Sequence, residues 1–253
     1  MKVTFLGTGT SQGVPVIACG CEVCSSADKK DKRLRSSIMI SAPAGNIVVD
    51  TTPDFRYQML REKVGHLEAV LITHSHKDHI AGMDDIRAFN YFQKSAINIY
   101  ATEFSQSVIK REFAYAFSDF KYPGIPEINL KTIADDPFDV NGLTITPVHV
   151  MHHQMPVLGF RIHDFTYITD ANYIAPEEKE KIRGSKILVL NALRREKHIS
   201  HFTLEEAIAL GKELDVPEVY LTHISHQLGL HEAVSAELPP GTHLAYDGLS
   251  LEI

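Results

Sequence analysis

The segment Thr73-His74-Ser75-His76-Lys77-Asp78-His79 constrains this chain more than any other. It follows the apolar run Ala69-Val70-Leu71-Ile72-Thr73, which reads as a buried strand, and precedes a helical stretch that opens at Ile80. Strand end, tight loop and helix start gather four side chains of metal-ligand type on one small patch. His74 and His76 alternate about Ser75 and can face one side of an extended segment. Asp78 and His79 stand at the turn into the helix, where a second ion could be held. Imidazole suits zinc, manganese or iron, and the carboxylate adds the charge a divalent ion needs. A polar surface loop is the weaker reading, because three His and an Asp fall within six residues directly after a buried strand.

Short runs rich in Val, Ile, Tyr and Thr predict strands over 2–6, 37–41, 46–50, 69–73, 97–101, 143–150, 158–163, 165–169, 186–190, 218–222 and 243–252. Helical periodicity falls over 53–62, 80–92, 104–117, 175–183 and 203–214. Thr203 followed by Glu206 fits a capping box, and Pro176 before Glu177 and Glu178 suits a helix start. Strands and helices interleave, with hairpin-like strand pairs among them. This predicts an α/β protein, with sheets covered by outer helices. The 253 residues contain no low-complexity linker and fit one domain, 1–253. Net charge is 25 − 32 = −7, against a partner held mainly through a basic surface, so nucleic acid is the less favoured partner. No apolar run approaches the roughly 18–20 residues of a membrane span. The apolar part of Met1–Gly7 is too short for a signal peptide, and a cytoplasmic location is expected.

The three cysteines are packed into Cys19-Gly20-Cys21-Glu22-Val23-Cys24, which cannot staple a large chain. Three thiols at this spacing make a soft site that lacks one ligand for tetrahedral zinc. Inert thiols and a redox trio are the alternatives. Gly7, Gly9 and Gly13 form a glycine-rich turn just before them, by itself weak evidence for phosphate binding. The 14 histidines add weight to metal or acid–base chemistry.

The spacing His-x-His-x-Asp-His resembles the signature of the metallo-β-lactamase superfamily, and the rest of that pattern occurs in order between residues 3 and 248. Asp50 ends Asn46-Ile47-Val48-Val49-Asp50, His152 precedes Pro156-Val157-Leu158-Gly159-Phe160, Asp170 ends Phe165–Asp170, and His223 ends Val219–His223. The resemblance implies an αββα sandwich of two mixed sheets with helices on the outer faces. It implies two divalent ions, zinc or manganese: His74, His76 and His152 on the first, Asp78, His79 and His223 on the second, and Asp170 bridging. Asp50 would hold the ligand loop. His149 and His153 are rivals to His152.

His226, three residues beyond His223, could turn away to complete a Cys3His zinc site with Cys19, Cys21 and Cys24. The Gly-rich start, the cysteines and Leu221-Thr222-His223-Ile224-Ser225-His226-Gln227 resemble the phosphodiesterase branch. This branch includes the carbon–phosphorus lyase pathway enzyme, which cleaves cyclic ribose phosphates, and the tRNA 3′-end processing nucleases. In that branch the extra zinc is structural. His201-Phe202-Thr203 matches a His-x-Thr element of the branch, which implies a catalytic role for His201 on the phosphate or leaving oxygen; His198 could share or replace it. Asp78 is carried as catalytic as well as a ligand. The resemblance therefore implies hydrolysis of a small, cyclic or nucleotide-type phosphodiester by a hydroxide held between two metals. A tRNA 3′-end endonuclease and a thioester or lactam hydrolase are the alternatives. The 104–125 segment reads as a pocket wall or a dimer contact, and a homodimer is expected.

Overall fold

Several strands are apolar on both faces, which requires a layer against each face. The computed structural model describes residues 1–43, 45–120 and 122–253. In chain order the strands are β1 (Lys2–Gly7), β2 (Ser37–Ala42), β3 (Gly45–Val49), β4 (Ala69–Leu71), β5 (Ile97–Ala101), β6 (Ile128–Thr132), β7 (Phe138–Val140), β8 (Leu143–His152), β9 (Met155–Ile162), β10 (Phe165–Tyr167), β11 (Tyr173–Ile174), β12 (Ile187–Asn191), β13 (Glu218–Thr222), β14 (Thr242–Leu244) and β15 (Ser250–Glu252). The α-helices are α1 (Glu22–Ser25), α2 (Phe55–Arg61), α3 (Lys77–Ile80), α4 (Arg87–Gln93), α5 (Glu103–Glu112), α6 (Pro176–Ile182), α7 (Leu204–Glu213) and α8 (His231–Glu237).

Two mixed sheets result. The first runs β15-β1-β2-β3-β4-β5-β6; the second runs β11-β8-β9-β10-β12-β13-β14, with β7 also paired to β8. Along each order, three antiparallel pairings are followed by three parallel ones. Strand alternation sorts the side chains into three layers. Val3, Phe5, Ile38 and Leu71 meet Ile145, Phe160, Tyr167 and Val189 between the sheets. Leu6, Val48 and Val70 turn outward against Phe55 and Met59 of α2, Phe89 of α4 and Ile109 of α5. Leu188, Leu190 and Leu221 turn the other way against Ile182 of α6, Leu204 and Leu210 of α7 and Val234 of α8. This is the αββα sandwich expected from the sequence. α7 starts at the predicted capping box, with Thr203 and Glu206 satisfying each other's backbone N–H.

The differences from the sequence reading have local causes. The stretch 243–252 is two strands, not one, because Gly248 (φ 90°) turns the chain from the second sheet to the first. The helix over 80–92 begins early, at Lys77, and is broken by a 3₁₀ turn at Met83–Ile86. β6, β7, β11, α1 and α8 escaped the pattern, being short or, in β6, half exposed and polar on an edge. β9 starts before Pro156, a residue that reads as a strand breaker.

Gly7 and Gly82 stand at the closest backbone approaches among the glycines. A Cβ on Gly7 would stand 1.9 Å from the Arg35 carbonyl oxygen, and one on Gly82 would stand 2.0 Å from that of Thr52. Gly82 also donates its N–H to Thr51 O at 2.9 Å, docking the end of α3 on the turn after β3. Gly82→Ala is expected to cost about 3 kcal/mol by urea unfolding, because backbone must move. Gly65→Ala, where a Cβ meets nothing within 4 Å, is expected to stay within about 0.5 kcal/mol.

Candidate metal centre

Strand ends build the site. Asp50 follows β3, Thr73 and His74 follow β4, His152 ends β8, Asp170 follows β10 and His223 follows β13. Asp50, Asp170 and His223 are in the left-handed region (φ 67°, 54° and 55°), a conformation costing of order 1 kcal/mol or more for a side chain with Cβ. The chain turns abruptly at each, and the three side chains converge.

Asp50 orients the ligand loop. It is fully buried; Oδ1 accepts the Thr73 N–H (2.9 Å) and Oδ2 accepts the Thr73 hydroxyl (2.8 Å) and His79 Nδ1 (2.7 Å). With its proton on Asp50, the Thr73 hydroxyl is left to accept from His74 Nδ1 at 3.0 Å. One carboxylate thus fixes both rings with Nε2 turned inward, as the outer partners of metal-bound imidazoles do. Burial raises the Asp50 carboxyl, although His79 and Thr73 oppose this.

The inner atoms carry more donors than protein partners. His79 Nε2 lies 3.2 Å from Asp78 Oδ2 and 3.3 Å from Asp170 Oδ2. His74 Nε2 lies 3.7 Å and His201 Nε2 3.6 Å from Asp170 Oδ2, and His223 Nδ1 lies 2.9 Å from Asp170 Oδ1. Among the described residues, His79 Nε2, His201 Nε2 and His223 Nδ1 are buried without a hydrogen-bond partner. Three tight donor groups form: His74, His79 and Asp170; His152, Asp170 and His201; Asp78, Asp170 and His223. Asp170 is common to all three.

The electrostatics suit cations. Burial would raise the Asp170 carboxyl, but the neighbouring His223, His79 and His201 hold it well below the carboxylate range. Asp78 is lowered too, with His79 outweighing burial. Burial lowers His74 and His152, leaving neutral rings with lone pairs to offer. His79 is the exception: burial would lower it, but Asp170, Asp78 and Asp50 drive it well above its usual value. Three carboxylates around one imidazole call for positive charge at its open nitrogen.

The rivals separate cleanly. His152 Nδ1 donates to Ser200 O at 2.8 Å, so its ring is fixed in the site. His153 is exposed in the turn after it, and His149 lies outside, 3.1 Å from Asp135. His201 is buried in the site; burial lowers its pKa to about 4, with Asp170 opposing. His198 stands behind it, their Nδ1 atoms 3.2 Å apart and Ser200 Oγ 3.1 Å from both. His76 is exposed at the rim, Nδ1 3.1 Å from His74 Nε2 and its ring 5.2 Å from that of His152, outside the three tight groups. The sequence reading missed Thr73, Ser200 and Thr10, whose Oγ1 lies 3.3 Å from His223 Nε2. Hydroxyls that position a ring carry no spacing signal.

A second centre sits at the other end of the 223–226 segment. His226 Nδ1 is 3.4, 3.3 and 3.5 Å from the sulfurs of Cys19, Cys21 and Cys24. Zinc bond lengths in a tetrahedron require an N···S separation of about 3.5 Å, so the residues fit that ion. The backbone N–H of Cys24 and then His226 lower the Cys21 thiol to about 6, while burial raises Cys24. Backbone pairing of Thr8 and Thr10 with Ile224 holds the two centres together.

Residues 45–224 match the family described as Beta-lactamase superfamily domain. The chain belongs to the β-lactamase superfamily. A superfamily structure described as a new diphosphatase from the PhnP family superposes with a TM-score of 0.93, at 38% identity over 100% of this chain and 97% of that one. Human tRNase Z, short form, shares the fold at a TM-score of 0.72 and 18% identity, covering 100% and 99%. A protein named octanoyltransferase from Porphyromonas gingivalis is 41% identical over 98% of this chain but 51% of its own length. Ribonuclease Z of Staphylococcus epidermidis is 27% identical over 64% of this chain and 49% of its length. The chain thus spans about half the length of these two curated relatives.

Two outcomes follow from the geometry. Asp50→Asn presents an N–H where Thr73 or His79 already donates, and is expected to weaken metal binding about 10–100-fold in a chelator competition. In metal-free protein, Cys21 is expected to be alkylated first by iodoacetamide, at a rate that rises through pH about 6 as its thiolate forms and then levels.

Proposed function

We propose that the chain is a metal-dependent hydrolase of small phosphodiesters. The observation that carries this reading is the convergence of three donor groups on Asp170 beside His201 Nε2, a buried nitrogen without a partner. In this reading His74, His76 and His152 would hold one divalent ion, Asp78, His79 and His223 would hold the other, and Asp170 would serve both. Zinc or manganese there would supply Lewis-acid charge to a phosphoryl oxygen and favour deprotonation of water.

The chain's own groups do the rest. Asp170 and Asp78 remain ionised at neutral pH and localise positive charge. His201 is neutral there, since it protonates only near pH 4. Its Nδ1 meets Ser200 Oγ and His198 Nδ1, and in the tautomer that carries its proton on Nε2 the ring would donate to a phosphate oxygen. In this reading its role is to hold developing charge on the phosphate rather than to enter as an imidazolium acid. Asp78 acts in catalysis only through its place in the donor set. Cys19, Cys21, Cys24 and His226 would hold one structural zinc, which would tie the N-terminal loop to the segment that follows His223.

The diphosphatase neighbour supports a second reading, a substituted diphosphate attacked at phosphorus by the same groups. A tRNA substrate is less favoured. The net charge is −7, and the segment from 103 folds as α5 and a 3₁₀ turn whose Ile109 and Ala116 pack into the outer layer rather than as an extruded arm. The name octanoyltransferase belongs to a relative matched over half its length, and it makes an octanoyl thioester the control substrate. We retain the cytoplasm, where thiols stay reduced, and a homodimer as the expected setting; among the described residues no helix is long and apolar enough to cross a membrane.

Protein stripped and refilled with manganese or zinc is expected to hydrolyse bis(p-nitrophenyl) phosphate but not p-nitrophenyl phosphate. Asp170→Asn is expected to lower that rate by on the order of a thousandfold. Turnover of the thioester alone would overturn the reading. Cys21→Ala is expected to lose one zinc per chain by elemental analysis and to melt several degrees lower. Unchanged stoichiometry and melting would exclude a structural zinc.

A further inference from the structure

A cleft of about 720 Å³ opens beside the donor set, and the chemistry proposed above makes no use of it. His76 and His152 line its inner end. Phe104 of α5, Met155 and Pro156 of β9, and Ile199 from the loop leading to His201 line the rest of its apolar surface. Phe104 is 65% exposed and Ile199 72%, large apolar side chains left in water at the mouth of a site. Among the described residues no Lys, Arg, Asp or Glu lines the cleft, whose other polar residues are His153, Gln154 and Ser200. Its far wall is fixed in advance: Asn172 accepts the His153 N–H at 2.7 Å and donates to Ile199 O at 3.2 Å, riveting the turn after β8 to the loop that carries Ile199. His152 Nδ1 bonded to Ser200 O is a second rivet between the same segments.

We propose that this cleft takes an uncharged apolar ester group of the substrate, with Phe104 and Ile199 as the specificity-determining residues. The proposal rests on the phosphodiester reading. A second phosphate has no cation to meet here, whereas a ring or short chain linked to the phosphate removes both exposed side chains from water. The substrate class is thus a phosphodiester with one apolar arm, whose phosphate sits over Asp170 and whose arm runs past His76 and His152 into the cleft.

Calorimetric titration of the manganese-loaded protein with diphenyl phosphate and with dimethyl phosphate tests this, with no dependence on turnover. Diphenyl phosphate is expected to bind at least about tenfold tighter, and the Phe104→Ala/Ile199→Ala double variant is expected to lose most of that ratio. Both side chains are exposed, so the variant is expected to fold, which its melting curve checks. Equal binding of the two diesters, or a ratio unchanged in the variant, overturns the cleft assignment alone. Binding of neither diester overturns the phosphodiester reading, and the cleft assignment with it.

Discussion

The buried carboxylate of Asp50 is the constraint on which the candidate centre depends. A charge with no exposure to water needs compensation on every side, and Asp50 finds it in the Thr73 N–H, the Thr73 hydroxyl and His79 Nδ1. Those three contacts fix the loop after β4 and the first turn of α3 at once. The Thr73 hydroxyl, committed as a donor to Asp50, then leaves only its lone pairs for His74. The tautomers of two rings therefore follow from one carboxylate, and the inward-facing nitrogens of His74 and His79 inherit their direction from a residue outside the donor set.

The sequence revealed the fold well where burial on two faces wrote continuous apolar runs, as at Val48-Val49, Val70-Leu71 and Leu188–Leu190. It was mute where strands lie at an edge or last two or three residues, as in β6, β7 and β11, because partner strands rather than propensity define them. Among site residues, the donors were legible by type and order. Their support was not. Ser200 acts through its backbone oxygen on His152, and Thr10 reaches His223 across 213 positions of chain. Such contacts exist only after the sheets have formed. The resemblance had already set His152 ahead of His149 and His153, and in the structure His149 stands on β8 beside Asp135 while His153 is exposed in the turn.

The glycine-rich start changed meaning on folding. Gly7 and Gly9 let the segment 33–35 pass against β1, with Gly9 bridged to both Arg35 and Ile224. Backbone closeness there accounts for both. It also brings Cys19, Cys21 and Cys24 within reach of His226, three residues from His223. A loop that looks separate from the chemistry is thereby coupled to it through one short segment.

The shared order of pairings in the two sheets has a consequence for where two buried carboxylates stand. Each sheet passes from antiparallel to parallel pairing at an equivalent strand, β3 in one and β10 in the other. Asp50 N–H bonds Leu71 O at the end of β3 as Ile168 N–H bonds Val189 O at the end of β10, and Asp170 stands two residues farther on, also in the left-handed region. Residues just past the same turning point of each sheet thus carry these two buried carboxylates, Asp50 against the loop after β4 and Asp170 against His79 and His223.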